Sequence, residues 1–196
     1  MANWSSKAGQ ADTTAAMDTP VTQSDATVFI ANLRDYPQWV SQVALWHHTE
    51  WLAGYQSNRR ISHDDRDISD DIREREHNLR SHLGRDVVPT TFIAVASHDE
   101  YEQAVGSVSV VHYKFSRERA PSDWLTNLYV IPEFRRRGVG QRLLTAMEDY
   151  ARGHRIGLLK LYTRDLENYY RQRGWHYSHT GLVQGHSVAV LEKRFP

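Results

Sequence analysis

One run constrains this chain more than any other: Asn127-Leu128-Tyr129-Val130-Ile131-Pro132-Glu133-Phe134-Arg135-Arg136-Arg137-Gly138-Val139-Gly140-Gln141-Arg142-Leu143-Leu144. Leu128, Tyr129, Val130 and Ile131 are apolar and partly β-branched, which favours a strand. Pro132 has no N–H for a ladder and ends it. Glu133 to Arg137 form a charged turn, and Gly138 and Gly140 open a helix carried by Leu143, Leu144 and Met147. A strand, a basic turn and a helix N-terminus in succession make an anion site. The first helical N–H groups lack an intrahelical partner, and the helix dipole is positive at that end. Glycines let an anion approach the backbone where a Cβ would obstruct it. Arginines add charge-assisted hydrogen bonds.

The rest of the sequence supplies a frame for this segment. A chain of 196 residues is expected to form one domain with a single good core. We expect 1–26, rich in Ala, Thr, Ser, Asp and Gln, to be a flexible extension, because it cannot bury enough apolar area to offset its ordering entropy. The domain then occupies 27–196. A first strand is expected over 27–33, and Asp35 and Pro37 mark a helix start. Trp39, Val40, Val43, Trp46 and His47 share one face of that helix, which ends near Gly54. Ser62 to Asp65 has capping-box spacing, and Ile68, Ile72, Leu79 and Leu83 trace a second amphipathic helix. The acidic run in its first turns suits the helix dipole and reads as a solvated face.

Strands are expected over 89–97, 104–115 and 124–131, the first two forming a hairpin. The glycine turn and a helix to about Gly153 follow. Gly157 to Thr163 is a buried strand, and the short crossover from strand to helix to strand implies parallel pairing. A short helix over 166–173 is stopped by Gly174. Two strands, over 175–182 and 187–195, close the chain.

Several function classes fall away. The formal net charge is zero, so bulk electrostatics point to neither nucleic acid nor a membrane surface. The absence of Cys removes disulfides, thiolate metal sites and a Cys nucleophile together. It agrees with a cytoplasmic location, as do the missing apolar signal core and apolar span. Eleven His residues are present, but no H-x-E or H-E-x-x-H pattern accompanies them. His47 and His48 point to different sides of a helix, and His176 and His179 to opposite faces of a strand. No metal is expected, and the histidines read as scattered surface or partly buried groups.

The central run is neither a Walker loop nor a dinucleotide fingerprint, because no Gly-Lys-Ser/Thr follows and Arg135 replaces the first glycine. Arg-x-x-Gly-x-Gly at Arg135, Gly138 and Gly140, directly after a strand and Pro132, resembles the pyrophosphate-binding segment of the GNAT superfamily of acyl-CoA-dependent N-acyltransferases. Downstream, Asn168-Tyr169-Tyr170-Arg171-Gln172-Arg173-Gly174-Trp175 is similar to that family's aromatic-Tyr-x-x-x-Gly-aromatic signature. The resemblance covers roughly 27–195. It implies an α/β (α+β) GNAT fold, a mixed central sheet of about seven strands flanked by about four helices.

The resemblance also implies an acetyl-CoA-dependent N-acetyltransferase acting on a primary amine of a small molecule or peptide, as a monomer or homodimer. Acetyl-CoA is then the cosubstrate. Leu128, Tyr129 and Val130 would bond the pantetheine arm, as an added strand does. Arg135, Arg136, Arg137, Gly138, Val139, Gly140 and Gln141 would hold the pyrophosphate, with Asn168 and Tyr170 near the thioester. Tyr170 would be the general acid that protonates departing CoA thiolate. The base is open. Many members place a Glu on the strand before the glycine turn, where this chain has Trp124, Thr126 and Asn127. Asp123, Glu50 and a water chain ending at His112 remain the candidates. The missing strand carboxylate keeps a second reading alive, a non-catalytic acyl-CoA-binding or sensing module on the same fold.

Overall fold

The computed structural model describes residues 26–55, 65–98, 101–114, 120–183 and 185–196. The expected N-terminal extension, except Ala26, and the Ser62–Asp65 capping box lie outside the described residues, the latter except for the backbone of Asp65. The elements in chain order are β1 (Thr27–Asn32), α1 (Val40–Tyr55), α2 (Asp65–Ser81), β2 (Thr90–His98), β3 (Tyr101–Tyr113) and β4 (Ser122–Val130), then α3 (Val139–Gly153), β5 (Leu158–Thr163), α4 (Glu167–Arg171), β6 (His176–Val183) and β7 (His186–Arg194). Two 3-10 turns, Leu33–Asp35 and Pro37–Trp39, lead into α1. Asn32 caps the first of them by accepting from the Arg34 N–H at 3.0 Å.

All seven strands join one mixed sheet in the order β1-β2-β3-β4-β5-β7-β6. β1 to β4 form an antiparallel meander, and β5, β7 and β6 a second antiparallel group. β4 and β5 run parallel, as the short crossover through α3 requires. Strand alternation sends neighbouring side chains to opposite faces. Ala94 and Ala96 pack with Leu143, Leu144 and Met147 of α3 and with Tyr170 and Trp175. Ile93 and Val95 pack with Val40, Val43, Ala44 and Trp46 of α1 and with Leu79 of α2. The sheet therefore has α3 and α4 on one face, α1 and α2 on the other.

Polar groups lock both layers. On the α3 face, buried Glu148 accepts from the Trp175 indole N–H at 2.9 Å and from Lys193 Nζ at 2.7 Å. Lys193 also donates to the Arg173 carbonyl at 2.7 Å. These bonds tie α3, β7 and the turn after α4 together. On the other face, His48 is bonded to Asp71, which also accepts from Arg75 Nε at 2.6 Å. His82 reaches the Thr91 hydroxyl at 2.8 Å, and Thr91 meets the Ser109 hydroxyl at 2.8 Å.

Two expectations about histidine change. His47, His48 and His82 are all buried; His82 meets the Thr91 hydroxyl of β2 and His48 the Asp71 carboxylate of α2, whereas Nε2 of His47 and of His48 is buried without a hydrogen-bond partner. A bulge between Tyr177 and His179 sets His176 across from Glu192 and His179 across from Val190. Those partners are two apart on β7, so both histidines share a sheet face instead of opposing ones.

Burial, with Arg75 and His82 adding repulsion, lowers the His47 pKa to about 3, and burial lowers that of His82 to about 4. Both rings are neutral in the fold at pH 7, whereas the unfolded chain takes up protons below about 6.5. Their contribution is thus complete above pH 6.5 and is lost as pH falls toward 3. Denaturant titrations should show stability falling by a few kcal/mol between pH 7 and pH 4, with a shallower slope in His47→Gln. A flat profile over that window would contradict this account.

Glu148→Ala strands the Lys193 ammonium beside a buried indole N–H. It should cost about 3 kcal/mol or more, read as a lower urea midpoint at unchanged m-value.

Candidate active site

The site begins with a defect in the sheet. Ser107 pairs with Tyr129 and Ser109 with Thr126, so Val108 alone faces two residues of β4, Asn127 and Leu128. Asn127 takes a left-handed conformation (φ 54°), which Asn tolerates better than most residues. The Ser107 hydroxyl lies 3.5 Å from its carbonyl oxygen. The bulge bends β4 away from its neighbour. β4 and β5 are matched only at Trp124 and Lys160, where the lysine ammonium sits 5.8 Å from the indole centroid. Beyond that point the strands part.

A cleft of about 210 Å³ fills the opening. Thr126, Asn127 and Tyr129 line it from β4, and Leu161 and Tyr162 from β5. His47 and Glu50 reach it from α1, and Tyr170 from α4. Because α1 and α4 occupy opposite faces, the cleft passes through the sheet.

The glycine turn follows the end of β4 directly. A single 3-10 turn, Pro132–Phe134, turns the chain, and Phe134 is buried beneath it. Gly138 caps α3 with φ 78° and provides no side-chain bond. The first helical bond of α3 runs from the Arg142 N–H to the Gly138 carbonyl at 3.0 Å. The Val139, Gly140 and Gln141 amides precede it. A Cβ on Gly138 would meet no atom within 4 Å, so the space on that side of Gly138 is open. The three arginines behave differently. Arg136 is itself left-handed (φ 60°), and the Arg137 guanidinium lies 5.4 Å from the Phe134 ring centroid. Arg135 turns back toward the cleft. Its Nε donates to the Val130 carbonyl at 2.8 Å, its guanidinium stands over Tyr129, and Nη2 is 4.0 Å from Glu50 Oε1.

Tyr170 is buried in the α3-side core, edge-on to Tyr169 and Trp175. Its carbonyl accepts from the Arg173 N–H at 2.9 Å and the Trp175 N–H at 3.2 Å, so the turn locked by Glu148 also fixes this residue. Burial pushes the phenol up to about 12, with Tyr169 adding to the rise and Arg173 opposing it. The hydroxyl therefore keeps its proton throughout the neutral range. Asn168, two residues earlier on α4, is exposed.

The structure separates the base candidates. Glu50 lines the cleft. Asp123 and His112 are bonded to each other at 2.8 Å across β3 and β4, before the Trp124 junction, and neither lines the cleft. Sequence reasoning omitted His47, Asn127 and Tyr162 from the site. Only Asn127 carried a signal, standing where a carboxylate had been sought. His47 shared a helical face with apolar residues and read as one of the scattered surface or partly buried histidines.

A seven-stranded mixed sheet parted between its central parallel strands, with a glycine-opened helix at the gap, is the fold of the N-acetyltransferases. The chain belongs to the acetyltransferase (GNAT) family, which it matches over residues 45–175. Solved structures agree. A GNAT-family acetyltransferase from Streptococcus pneumoniae aligns over 87% of this chain and 100% of its own at 14% identity and TM-score 0.58. PaiA N-acetyltransferase from Thermoplasma acidophilum, in complex with coenzyme A, covers 86% and 99% at 19% identity and TM-score 0.57. Arabidopsis thaliana Naa50, in complex with the bisubstrate analogue CoA-Ac-MVNAL, covers 86% and 99% at 16% identity and TM-score 0.51. At such identities the likeness establishes the fold. No curated protein sequence matches the chain. No group of three or more described His, Asp or Glu residues could hold a metal ion, and no described helix is long and apolar enough to cross a membrane.

The two glycines of the turn should differ in tolerance. At Gly138 the positive φ makes any side chain strained, and Gly138→Ala should cost about 1–2 kcal/mol. At Gly140 a Cβ would sit 3.7 Å from a Val130 methyl, an ordinary contact. Gly140→Ala should leave the melting temperature unchanged or raise it slightly.

Proposed function

We propose that this protein is an acetyl-CoA-dependent N-acetyltransferase that moves an acetyl group to a primary amine by direct attack on the thioester. The carrying observation is the cleft through the sheet, with Tyr170 at its α4 side and Glu50 at its α1 side. Such a passage lets donor and acceptor enter from opposite faces and meet at the gap between β4 and β5. The residues present fit CoA. The amides of Val139, Gly140 and Gln141, at the positive end of α3, suit a pyrophosphate. The parted edge of β4 offers backbone groups to a pantetheine arm. The Thermoplasma protein of this fold is in complex with coenzyme A and the Arabidopsis protein with a CoA bisubstrate analogue, which supports CoA as the ligand.

The chemistry follows from the cleft. An alkylammonium of pKa near about 10 is not nucleophilic until it loses a proton. Glu50, at the acceptor side, takes that proton and passes it to solvent. Asp123 is too far along β4 to act. The amine nitrogen then bonds to the thioester carbon, and the carbonyl electrons move onto oxygen. A backbone N–H of β4 in the stretch Leu128 to Val130 stabilises this oxyanion. Collapse restores the carbonyl and breaks the C–S bond, and the nitrogen gives up its remaining extra proton through Glu50 to solvent, leaving a neutral amide. The thiolate takes the Tyr170 hydroxyl proton, and the phenolate is reprotonated from water. A thiol of ordinary pKa about 8.5 is a weak match for a phenol raised by burial. The same burial raises the departing thiolate, which narrows the gap.

Tyr170→Phe keeps the ring and removes the proton. Single-turnover acetyl transfer should slow by about 10²–10⁴-fold while CoA affinity holds. CoA at a hundred times its dissociation constant should stabilise the parent by about 2.7 kcal/mol. Gly140→Val should abolish that gain without unfolding the protein. An unshifted melt with saturating CoA would remove the transferase reading. A Tyr170→Phe variant at the parental rate would remove only the acid assignment.

A further inference from the structure

One buried group at the cleft has no part in the chemistry above. His47 stands on α1 three residues before Glu50, so the two side chains are neighbours on one helix face, and both line the cleft. The residue is only 7% exposed, and its Nε2 has no hydrogen-bond partner among the described residues. Buried ring nitrogens are normally paired, and one left alone is destabilising. Other imidazoles on this side of the sheet do find partners: His82 meets the Thr91 hydroxyl and His48 the Asp71 carboxylate. Nε2 of His48 is also unpaired, but His48 is not among the residues that line the cleft. At His47 the orphaned nitrogen and the cleft coincide.

From this coincidence, and resting on the transferase reading above, we propose that His47 binds and positions the acceptor, its Nε2 accepting a hydrogen bond from the primary amine while Glu50 beside it carries protons away. The ring itself exchanges no proton. Burial, with Arg75 and His82 of α2 adding repulsion, lowers its pKa to about 3, so it stays neutral throughout the range in which the amine is a usable nucleophile. A neutral imidazole accepts through one of its nitrogens, whereas a protonated one could only donate and would repel an ammonium. A carboxylate and an imidazole on one rigid helix face thus give a primary amine two fixed acceptors for its N–H groups. Two such bonds restrict how the nitrogen lies as it meets the thioester.

The test compares three variants of the full-length protein with the parent. CoA release from acetyl-CoA is followed with 2-phenylethylamine, spermidine, alaninamide and kanamycin, and the variants are assayed with the amine that gives the parent its highest kcat/KM. His47→Leu has a similar volume and no ring nitrogen. Its kcat/KM for the amine should fall about 10- to 100-fold, with the KM for acetyl-CoA unchanged. Its melting temperature should equal or exceed that of the parent, because an unpaired polar atom has left the interior. A purely structural histidine predicts the reverse, a lower melting temperature with amine kinetics intact. His47→Gln puts an amide oxygen where Nε2 lay and should keep about a third or more of parental kcat/KM. His47→Asn, whose amide reaches only the Nδ1 position, should be as impaired as His47→Leu. The acid limbs of the parental and His47→Gln pH profiles should coincide, because the ring does not titrate there. His47→Leu within about threefold of the parent, or His47→Gln no better than His47→Asn, overturns the assignment and leaves the transferase standing. An acid limb lost in His47→Gln also overturns it, because His47 would then be the base. If CoA shifts the parental melt and none of the four amines releases CoA, the transferase reading and this inference fall together.

Discussion

Everything at the cleft depends on the interrupted hydrogen bonding between β4 and β5. A continuous parallel ladder would close the sheet and leave no passage. Two constraints keep it open. The bulge at Asn127 and Leu128 sets two residues of β4 against one of β3 and re-aims the strand. The Trp124 and Lys160 pairing holds the strands together just before they part. Asn127 takes a conformation that a β-branched residue would enter only with strain, so the identity of that residue is part of the opening.

The opening is useful because rigid elements meet there. α4 brings Tyr170 to the cleft and α1 brings Glu50, while α3 begins just after the end of β4. Buried polar locks, not loops, set their spacing. Glu148 joins α3 to Trp175 and Lys193, and Lys193 reaches the carbonyl of Arg173 beside Tyr170. On the opposite face the His48 and Asp71 pair joins α1 to α2. Such groups are costly to bury singly and stabilising only as complete sets. They make the positions of the two helix layers mutually dependent.

Arg135, which the motif implies at a phosphate, also makes contacts within the chain. Its place in Arg-x-x-Gly-x-Gly implied a phosphate contact. In the fold its guanidinium closes on the Val130 carbonyl, the Tyr129 ring and Glu50, and so bridges the end of β4 to α1. No side chain caps the first amides of α3, and the space beside Gly138 is open.

Local chemistry was enough to read the strand, the proline stop, the glycine turn and α3, because each depends on neighbours in the chain. Periodicity was enough for α1 and the remaining strands, and the short crossover for the parallel pairing of β4 and β5. The same signals placed Tyr170 on a short helix ended by Gly174. What the sequence could not determine depends on residues far apart in it. The bulge at Asn127 has no signal apart from the register of β3 against β4. That Glu50 lines the cleft and Asp123 does not depends on which end of β4 parts from β5, and only the packing of α1 brought His47 to the gap. Burial of His48 and His82 required the hydroxyls of Thr91 and Ser109 and the carboxylate of Asp71. Spacing in a sequence fixes periodic faces, but only packing decides which buried polar groups find partners and which face a cavity.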